Sequence, residues 1–284
     1  MEIINRRQRM FSISRKLRRE EKTVGFVPTM GALHDGHLSL VREARARCDI
    51  VIVSIFVNPH QFNDPADLER YPRDLTADAA KLAEHGVDYV FAPDGEEMYP
   101  PGFATYVNVE GLTETLEGAS RPGHFRGVAT VVTILLNTVR PNLAFFGQKD
   151  AQQVAVVKRL VTDLGFETEV VSMPTVREES GLALSSRNTL LSPEDREKAA
   201  VLINALREAK AAFKQGQRNA ADLTQMVEQR IAEEPSARLD YVTVVNPETL
   251  QPLEKIGDEE TLIVAAAYIG DIRLIDNVIL NRKQ

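Results

Sequence analysis

Short, strand-like segments alternate with segments of helical apolar spacing through the first half of the chain. Strand-like stretches occupy residues 24–27, 50–57, 89–92, 106–109, 143–146 and 167–173, and helical patterns occupy residues 37–47, 75–84, 125–139 and 150–164. The stretch at 50–57 is apolar except for Ser54, which is typical of a parallel strand buried on both faces. This alternation predicts an α/β, Rossmann-like fold, in which a mainly parallel sheet carries helices on both faces.

The second half of the chain has a different order of elements. Long, charged, amphipathic helices are predicted at residues 193–214 and 219–233, followed by short strands at 240–245, 261–267 and 272–275. Helices followed by strands indicate a smaller α+β domain. Because a polar hinge that ends at Gly181 separates the two patterns, we expect one domain over residues 1–176 and another over residues 177–284.

The first 22 residues are basic, with eight Lys or Arg against three Glu. An Arg-rich, acid-poor beginning is a feature of transit peptides. In this chain Met10, Ile13 and Leu17 recur at the spacing of one helical face, and an apolar strand follows almost at once. A surface helix is therefore the favoured interpretation.

Composition narrows the functional classes. The 284 residues carry a formal net charge of −7, which disfavours binding to the phosphate backbone of nucleic acids. The single cysteine, Cys48, cannot form an internal disulfide and fits a reducing compartment. No apolar stretch reaches the roughly 20 residues of a membrane-spanning helix. We therefore expect a cytoplasmic protein whose partners are small molecules, with no role for nucleic acid or membrane.

The segment from Pro28 to His37 has the clearest chemical character. It follows a buried strand and begins a helix, and a helix N-terminus presents N–H groups and partial positive charge that attract anions. His34 and His37 lie three residues apart on one helical face, where imidazole N–H groups can donate to phosphate oxygens. An ordinary strand-to-helix turn with two satisfied histidines is the alternative. The spacing is neither that of a P-loop nor that of the dinucleotide glycine fingerprint.

This segment is similar to the HIGH motif of the nucleotidylyltransferase superfamily, whose members activate a group by attack on the α-phosphate of a nucleotide. Their second signature is a KMSKS-like loop, and the corresponding segment here is residues 184–188, just after the predicted hinge. Ser185, Ser186 and Arg187 suit a triphosphate, because hydroxyls donate locally and Arg binds phosphate oxygens bidentately. Taken alone, this segment would fit the capping region of a following helix.

Further motifs extend the resemblance along the chain. They are FVPTMG at residues 26–31, NPHQF at 58–62, YPR at 71–73, LEGASRPGHFRG at 116–127, FGQKDAQQ at 146–153, LSSRN at 184–188 and RLIDN at 273–277. Together they show that the chain resembles the pantothenate synthetase (pantoate–β-alanine ligase) family from about residue 1 to Asn277. Gln148 and Ala151 replace the family's usual Glu and aromatic residue, and they leave Lys149 and Gln153 in place.

The resemblance implies ATP-dependent condensation of (R)-pantoate with β-alanine through a pantoyl adenylate, which releases AMP and pyrophosphate. It also implies magnesium, without assigning its ligands, and a homodimer. The implied ATP-binding residues are Met30, Gly31, Ala32, Leu33, His34, Asp35, Gly36, His37, Gly147, Gln148, Lys149, Asp150, Val176, Leu184, Ser185, Ser186 and Arg187.

The same resemblance assigns roles within this set. Gln61 and Gln153 would contact pantoate, and Gln61 would also contact β-alanine, since each amide carries a donor and an acceptor. The implied catalytic residues, which would neutralise phosphate charge, are His34, His37, Lys149 and Arg187. Asp150 would bind a ribose hydroxyl rather than a magnesium-bound water, and it could also cap the following helix. The C-terminal domain would close over the ATP site.

Residues 111–127 hold Glu117, Arg121, His124 and Arg126 in a segment with no predicted regular structure. It is a candidate lid that keeps water from an acyl adenylate, and a plain surface loop is the alternative. Two other functions also fit the phosphate-binding residues. One is a nucleotidylyltransferase that forms a stable nucleotide conjugate, and the other is an ATP-binding regulatory module without turnover.

Overall fold

The computed structural model describes residues 1–281, which fall into two compact units. The first unit contains Met1–Gln148 and Gln152–Pro174, and the second contains Lys149–Ala151 and the chain from Thr175 onward. Residues 282–284, at the end of the predicted second domain, lie outside the described residues.

Helices and strands follow one another in the order expected of an α/β unit and then an α+β unit. The strands are β1 (Glu2–Ile4), β2 (Val24–Thr29), β3 (Ile50–Ile55), β4 (Tyr89–Phe91), β5 (Leu143–Gly147), β6 (Glu169–Met173), β7 (Ala237–Val245), β8 (Thr261–Ile269) and β9 (Ile272–Leu280). The helices are α1 (Arg7–Arg19), α2 (Asp35–Arg47), α3 (Pro65–Arg70), α4 (Leu75–Glu84), α5 (Gly95–Met98), α6 (Glu117–Ser120), α7 (His124–Val139), α8 (Ala151–Asp163), α9 (Pro193–Lys198), α10 (Ala200–Lys214) and α11 (Ala220–Ala232). Short 3₁₀ turns lie at Pro59–Gln61, Gln148–Asp150 and Ser186–Leu190.

A six-stranded parallel sheet in the order β1-β4-β3-β2-β5-β6 forms the centre of the first unit. The strand order reverses beside β2, because β3 and β4 extend the sheet on one side and β5 and β6 on the other. Ligands of such sheets bind beyond the carboxyl ends of the strands at this reversal. The histidine segment follows β2, and Gln148 follows β5. The predicted Rossmann-like fold class is therefore confirmed.

Apolar side chains of the sheet pack against helices in the way that the sequence pattern predicts. Val27, Val53 and Phe145 form one buried cluster with Leu38 and Val41 of α2. Helix α1 packs against α7. Its predicted apolar face is buried, with Met10, Ile13 and Leu17 each no more than 6% exposed, so the prediction of an N-terminal helix is confirmed.

The second unit contains an antiparallel sheet in the order β7-β8-β9. Leu206 of α10 and Val227 of α11 are buried in one cluster with Ile263 of β8 and Leu274 of β9. Helices that cover one face of an antiparallel sheet define an α+β unit, as predicted. Within residues 1–281, no helix combines the length and apolar character needed to cross a membrane.

Some predicted elements were wrong. Residues 106–109 form no strand, because the Val107 N–H donates to the Thr130 hydroxyl of α7 (3.0 Å) and not to another strand. The predicted helix at 193–214 is interrupted at Ala199 and forms α9 and α10. Residues 111–124, for which no regular structure was predicted, contain α6, whereas the helix predicted from residue 125 onward is α7. The short strand β1 was not predicted at all.

Helix α7 approaches the turn at Pro59–Gln61 so closely that only glycine fits at position 127. A Cβ atom there would overlap the His60 carbonyl oxygen and lie 2.8 Å from the Gln61 nitrogen. Gly127→Ala should therefore lower the free energy of unfolding by about 1–3 kcal/mol, the usual cost of overpacking, in urea titrations followed by circular dichroism. Gly95→Ala is the control, because a Cβ there meets no atom within 4 Å. Equal stability of the two variants would contradict this packing.

Candidate active site

The two histidines form a reciprocal cap at the beginning of α2. His34 is the N-cap residue, and its Nδ1 accepts the Gly36 N–H at 3.2 Å. The Nδ1 of His37 accepts the His34 N–H at 3.4 Å, and the ring centroids lie 4.1 Å apart. Because both Nδ1 atoms accept, each neutral ring carries its proton on Nε2. One helical turn thus holds two imidazole N–H donors close together, with Asp35 as its first helical residue.

The loop before this cap is held by a carboxylate that the sequence analysis did not single out. Asp78 of α4 is 3% exposed, and its two oxygens accept the N–H groups of Ala32 (2.8 Å) and Leu33 (2.9 Å). Lys81 donates to the Leu33 carbonyl at 2.7 Å. Gly31 has φ +83°, and a Cβ there would lie 2.9 Å from Asp78 Oδ2. Glycine at position 31 therefore permits both the left-handed backbone and the close approach of the Asp78 carboxylate.

Gln61, predicted to contact pantoate and β-alanine, lies against the same loop. Its Nε2 is 3.0 Å from the Met30 sulfur, and its Oε1 accepts from Asn58 Nδ2 at 3.1 Å. Asn58 is 1% exposed and also accepts the Tyr99 hydroxyl at 2.8 Å. Burial raises the pKa of Tyr99, so this hydroxyl stays protonated and donates. The structure thus brings together two of the residues predicted to bind substrates.

The segment at 111–127 supports this turn from the other side. The His124 Nδ1–H donates to the Gln61 carbonyl at 2.8 Å, and Arg121 donates to the same oxygen at 3.2 Å. Gln152 of α8 is buried; its Oε1 accepts the Glu117 N–H at 2.9 Å, and its Nε2 donates to the Leu112 carbonyl at 2.8 Å. The plain-surface-loop interpretation is therefore wrong for this segment, because its polar groups fix the backbone of the Gln61 turn.

Residues beyond β5 complete the predicted set of the first unit. Gly147 ends the strand, and the side-chain oxygen of Gln148 accepts the Ser172 hydroxyl at 2.6 Å. Gln153 lies on α8 and is partly buried, and its side chain makes no hydrogen bond with the part of the chain that the structure describes. An amide in that state is available to a ligand, as the predicted pantoate contact requires.

In the second unit, the Ser-Ser-Arg segment follows a narrow hairpin. The Leu184 N–H donates to the Val176 carbonyl at 3.0 Å, so these two predicted ATP-binding residues face each other. Ser185 then caps the 3₁₀ turn, with its hydroxyl accepting the Arg187 N–H at 3.3 Å. Ser186 is the first residue of that turn. The capping alternative and the ligand-binding interpretation are compatible, because the cap orders the backbone that presents Arg187.

A buried amide anchors this turn. Asn188 is 2% exposed and donates to Glu178 Oε1 (2.9 Å) and to the Ala183 carbonyl (3.0 Å). The Arg196 hydrogen bond lowers the pKa of Glu178, so Glu178 remains an ionised acceptor. The hairpin and the turn are therefore held by charge-assisted hydrogen bonds, which are stronger than neutral ones.

Lys149 and Asp150 belong to the second unit by their contacts. The Lys149 Nζ lies 3.2 Å from Asp150 Oδ1, and the lysine side chain is 19% exposed. Among residues 1–281, no group of three or more His, Cys, Asp or Glu side chains is placed to hold a metal ion. The predicted anion-binding groups thus comprise N–H donors on the first unit and the cations Lys149 and Arg187 on the second.

Comparisons with known proteins agree with one another. The family model for pantoate-beta-alanine ligase matches residues 2–279. A pantothenate synthetase from Pelotomaculum thermopropionicum is 54% identical over 268 residues, which cover 94% of this chain and 95% of the relative. A pantothenate synthetase from Carboxydothermus hydrogenoformans is 56% identical over 264 residues, which cover 93% of each chain.

Solved structures give the same result. The crystal structure of a pantothenate synthetase from Thermus thermophilus has a TM-score of 0.93 at 49% identity, with 99% of this chain and 100% of that chain covered. A pantoate-beta-alanine ligase from Francisella tularensis, complexed with beta-gamma ATP and beta-alanine, has a TM-score of 0.81 at 38% identity. That match covers 100% of this chain and 98% of the other.

The Asp78 carboxylate generates a prediction about the histidine loop. Asp78→Asn leaves one acceptor oxygen for two N–H groups, so it should lower the free energy of unfolding by about 1–3 kcal/mol and speed amide hydrogen exchange at Ala32 and Leu33. Asp74→Asn on the same helix is the control. Asp74 is the N-cap of α4, where Asn serves equally well. Unchanged exchange at both amides in Asp78→Asn would show that the carboxylate does not hold this loop.

Proposed function

The chain belongs to the pantoate–β-alanine ligase family, and we propose that it condenses pantoate with β-alanine to give pantothenate, with cleavage of ATP to AMP and pyrophosphate. The observation that carries this proposal is the contact of Gln61 with Met30, because the Gln61 amide then lies against the loop that leads into the histidine cap. A phosphate site alone would fit many enzymes, whereas a phosphate site beside a donor–acceptor amide suits a ligand with both hydroxyl and carboxylate groups.

In the first step, the pantoate carboxylate attacks the α-phosphorus of ATP. The Nε2–H groups of His34 and His37 donate to phosphate oxygens, whose negative charge increases in the transition state. Lys149 and Arg187 neutralise the departing pyrophosphate, Arg187 as a bidentate donor and Lys149 as a compact charge. Met30, Gly31, Ala32 and Leu33, together with Asp35 and Gly36, line the nucleotide on the first unit. These roles extend the family resemblance to the residues of this chain.

In the second step, the β-alanine amine attacks the carbonyl carbon of the pantoyl adenylate and AMP leaves. Gln61 and Gln153 orient pantoate, and Gln61 also orients the incoming amine. No protein nucleophile takes part, so catalysis consists of positioning and electrostatic stabilisation. Such a reaction depends on side chains held rigidly, which is what the buried partners of Gln61 provide.

The remaining residues complete the nucleotide site in this proposal. Gly147 and Gln148, at the end of β5, contribute to this site, and Asp150 binds a ribose hydroxyl. Val176 and Leu184 flank the nucleotide where the Ser-Ser-Arg hairpin begins. Ser185 and Ser186 donate to the phosphates. The C-terminal domain, residues 177–284, closes over ATP and thereby brings Arg187 to the triphosphate.

Magnesium, a homodimer and the cytoplasm are further parts of the proposal. Magnesium is usually held by substrate phosphates and waters together with one or two carboxylates, and it supplies charge neutralisation. Because Asp150 is proposed to bind the ribose, no side chain of this protein is assigned to the ion, and the phosphates of ATP would hold it. The homodimer and the cytoplasmic location rest on the family resemblance and on the single cysteine.

Isotope transfer tests the adenylate step. Pantoate labelled with ¹⁸O in its carboxylate should give singly labelled AMP and unlabelled pyrophosphate by mass spectrometry, because the bridging oxygen leaves with AMP when the amine breaks the acyl C–O bond. ADP as product would instead indicate an acyl phosphate. A stable nucleotide conjugate would favour the alternative nucleotidylyltransferase, and ATP binding without any product would favour a regulatory module.

Substitution of the phosphate-binding groups tests the first step. His37→Ala and Lys149→Ala should each lower the rate of AMP formation by about 10²–10³-fold, the typical loss for one preorganised charge-stabilising donor. ATP affinity should fall less, because the charge develops mainly in the transition state. His85→Ala and Lys158→Ala are the controls, since His85 is partly buried at the end of α4, Lys158 is exposed on α8, and neither belongs to the proposed site. A variant that keeps its rate but loses folding stability would point to a purely structural role.

A further inference from the structure

The RLIDN motif at residues 273–277 lies on β9, and the proposed mechanism gives it no role. Neighbouring residues of a strand point to opposite faces of the sheet. Asp276 therefore shares a face with Leu274, which is part of the apolar cluster beneath the helices, while Asn277 shares the other face with Arg273. Asp276 and Asn277 are nonetheless both buried, at 4% and 5% exposure. Two adjacent buried polar side chains on opposite faces must each have partners that offset the cost of burial.

One partner of Asn277 is the backbone of the proposed phosphate-binding lysine. Its Nδ2 donates to the Lys149 carbonyl oxygen at 3.0 Å. Lys149 lies in the 3₁₀ turn that precedes α8. A lysine side chain is a flexible stem, so the position of its charge depends on where the main chain is held. The central part of a paired strand is a rigid support for that purpose.

The partner of Asp276 is the hairpin that leads to the Ser-Ser-Arg turn. Arg177 binds the carboxylate bidentately, at 2.6 Å and 2.9 Å. The same guanidinium donates to the Gly181 carbonyl at 3.1 Å, across the hairpin. Asp276 Oδ1 also accepts the main-chain N–H of Asn277 at 2.7 Å, which ties the carboxylate to the backbone of its neighbour. One short segment of β9 thus holds the hairpin on one face and the lysine turn on the other.

We propose that Asn277 is a positioning residue for Lys149, and that Asp276 gives the Ser-Ser-Arg hairpin the same support. Lys149 and Arg187 then keep one geometry relative to each other, because adjacent residues of a single strand hold the segments that carry them. This inference rests on the proposed function, because it concerns the placement of Lys149 and Arg187 for the phosphates of ATP. In this role Asn277 acts through the Lys149 main chain and not through contact with a substrate.

Single-turnover AMP formation in Asn277→Ala and Asn277→Asp tests this role. The aspartate keeps the size of the side chain but replaces the N–H donor by an oxygen that repels the Lys149 carbonyl. Both variants should lower the rate about 10–100-fold, the scale of loss for a catalytic group misplaced by about 1 Å, while the KM for ATP changes less than about threefold. A buried carboxylate beside Asp276 costs stability, so the alanine variant carries the test where the aspartate variant folds poorly.

A double-mutant cycle separates positioning from general stability. If Asn277 acts through the Lys149 side chain, Asn277→Ala should lower the rate of AMP formation less than about threefold in a Lys149→Ala background, because the group that it positions is already absent. Asp240→Asn is the matched control. It breaks the ion pair of Asp240 with Arg273 (2.8 Å), which lies four residues before Asn277 on β9, and should leave the rate unchanged.

Wild-type rates in both Asn277 variants would overturn the inference. So would an equal loss of rate when Asn277→Ala is made in the wild-type protein and in the Lys149→Ala variant. Either result is distinct from a failure of the proposed function. If the proposed function failed, the unsubstituted protein itself would form no AMP from ATP and pantoate.

Discussion

The reversal of strand order beside β2 is the constraint on which the candidate site depends. All six strands of the first unit are parallel, so their carboxyl ends meet at one edge of the sheet. The loop after β2 carries the histidine cap, the turn after β3 carries Gln61, and β5 leads to Gly147 and Gln148. Segments that are far apart in the sequence therefore emerge at the same edge. No local propensity could bring them together, because the arrangement follows from strand pairing alone.

Buried polar side chains then turn these neighbouring loops into defined geometry. Asp78 holds two backbone N–H groups of the histidine loop, Asn58 holds the Gln61 amide, Gln152 holds the segment at 111–127, and Asn188 holds the Ser-Ser-Arg turn. An unpaired polar group in the interior is costly, so each of these side chains favours one arrangement of its loop. The residues proposed to meet substrates are thus supported by others that do not meet them. Electrostatic catalysis requires this support, since donors that must reorient during the reaction stabilise the transition state less.

Prediction from sequence succeeded where one local pattern dominated. Helix α4 has the predicted bounds because its apolar positions follow a helical period, and the N-terminal helix buries its predicted face. It failed where a single tertiary contact decided the result. Val107 lies in a β-like stretch, but its N–H bonds to the Thr130 hydroxyl, and β1 has only three residues and depends on pairing with β4. Short segments carry too few residues for periodicity to outweigh such contacts.

The sequence by itself determined the α/β class, the family, and the residue types of the candidate site, because motif order and hydrophobic period are properties of the chain alone. Tertiary structure alone decided which side chains hold those residues in place. In the sequence, Asp78 is an ordinary acidic residue of a predicted helix, and Asn277 is the last residue of a motif that begins in a predicted strand. Their roles appear only where folding brings them to the backbone of Ala32 and Lys149. Hydrogen bonds to a distant main chain leave no periodic signal in the sequence, since the accepting or donating backbone group is the same for nearly every residue type.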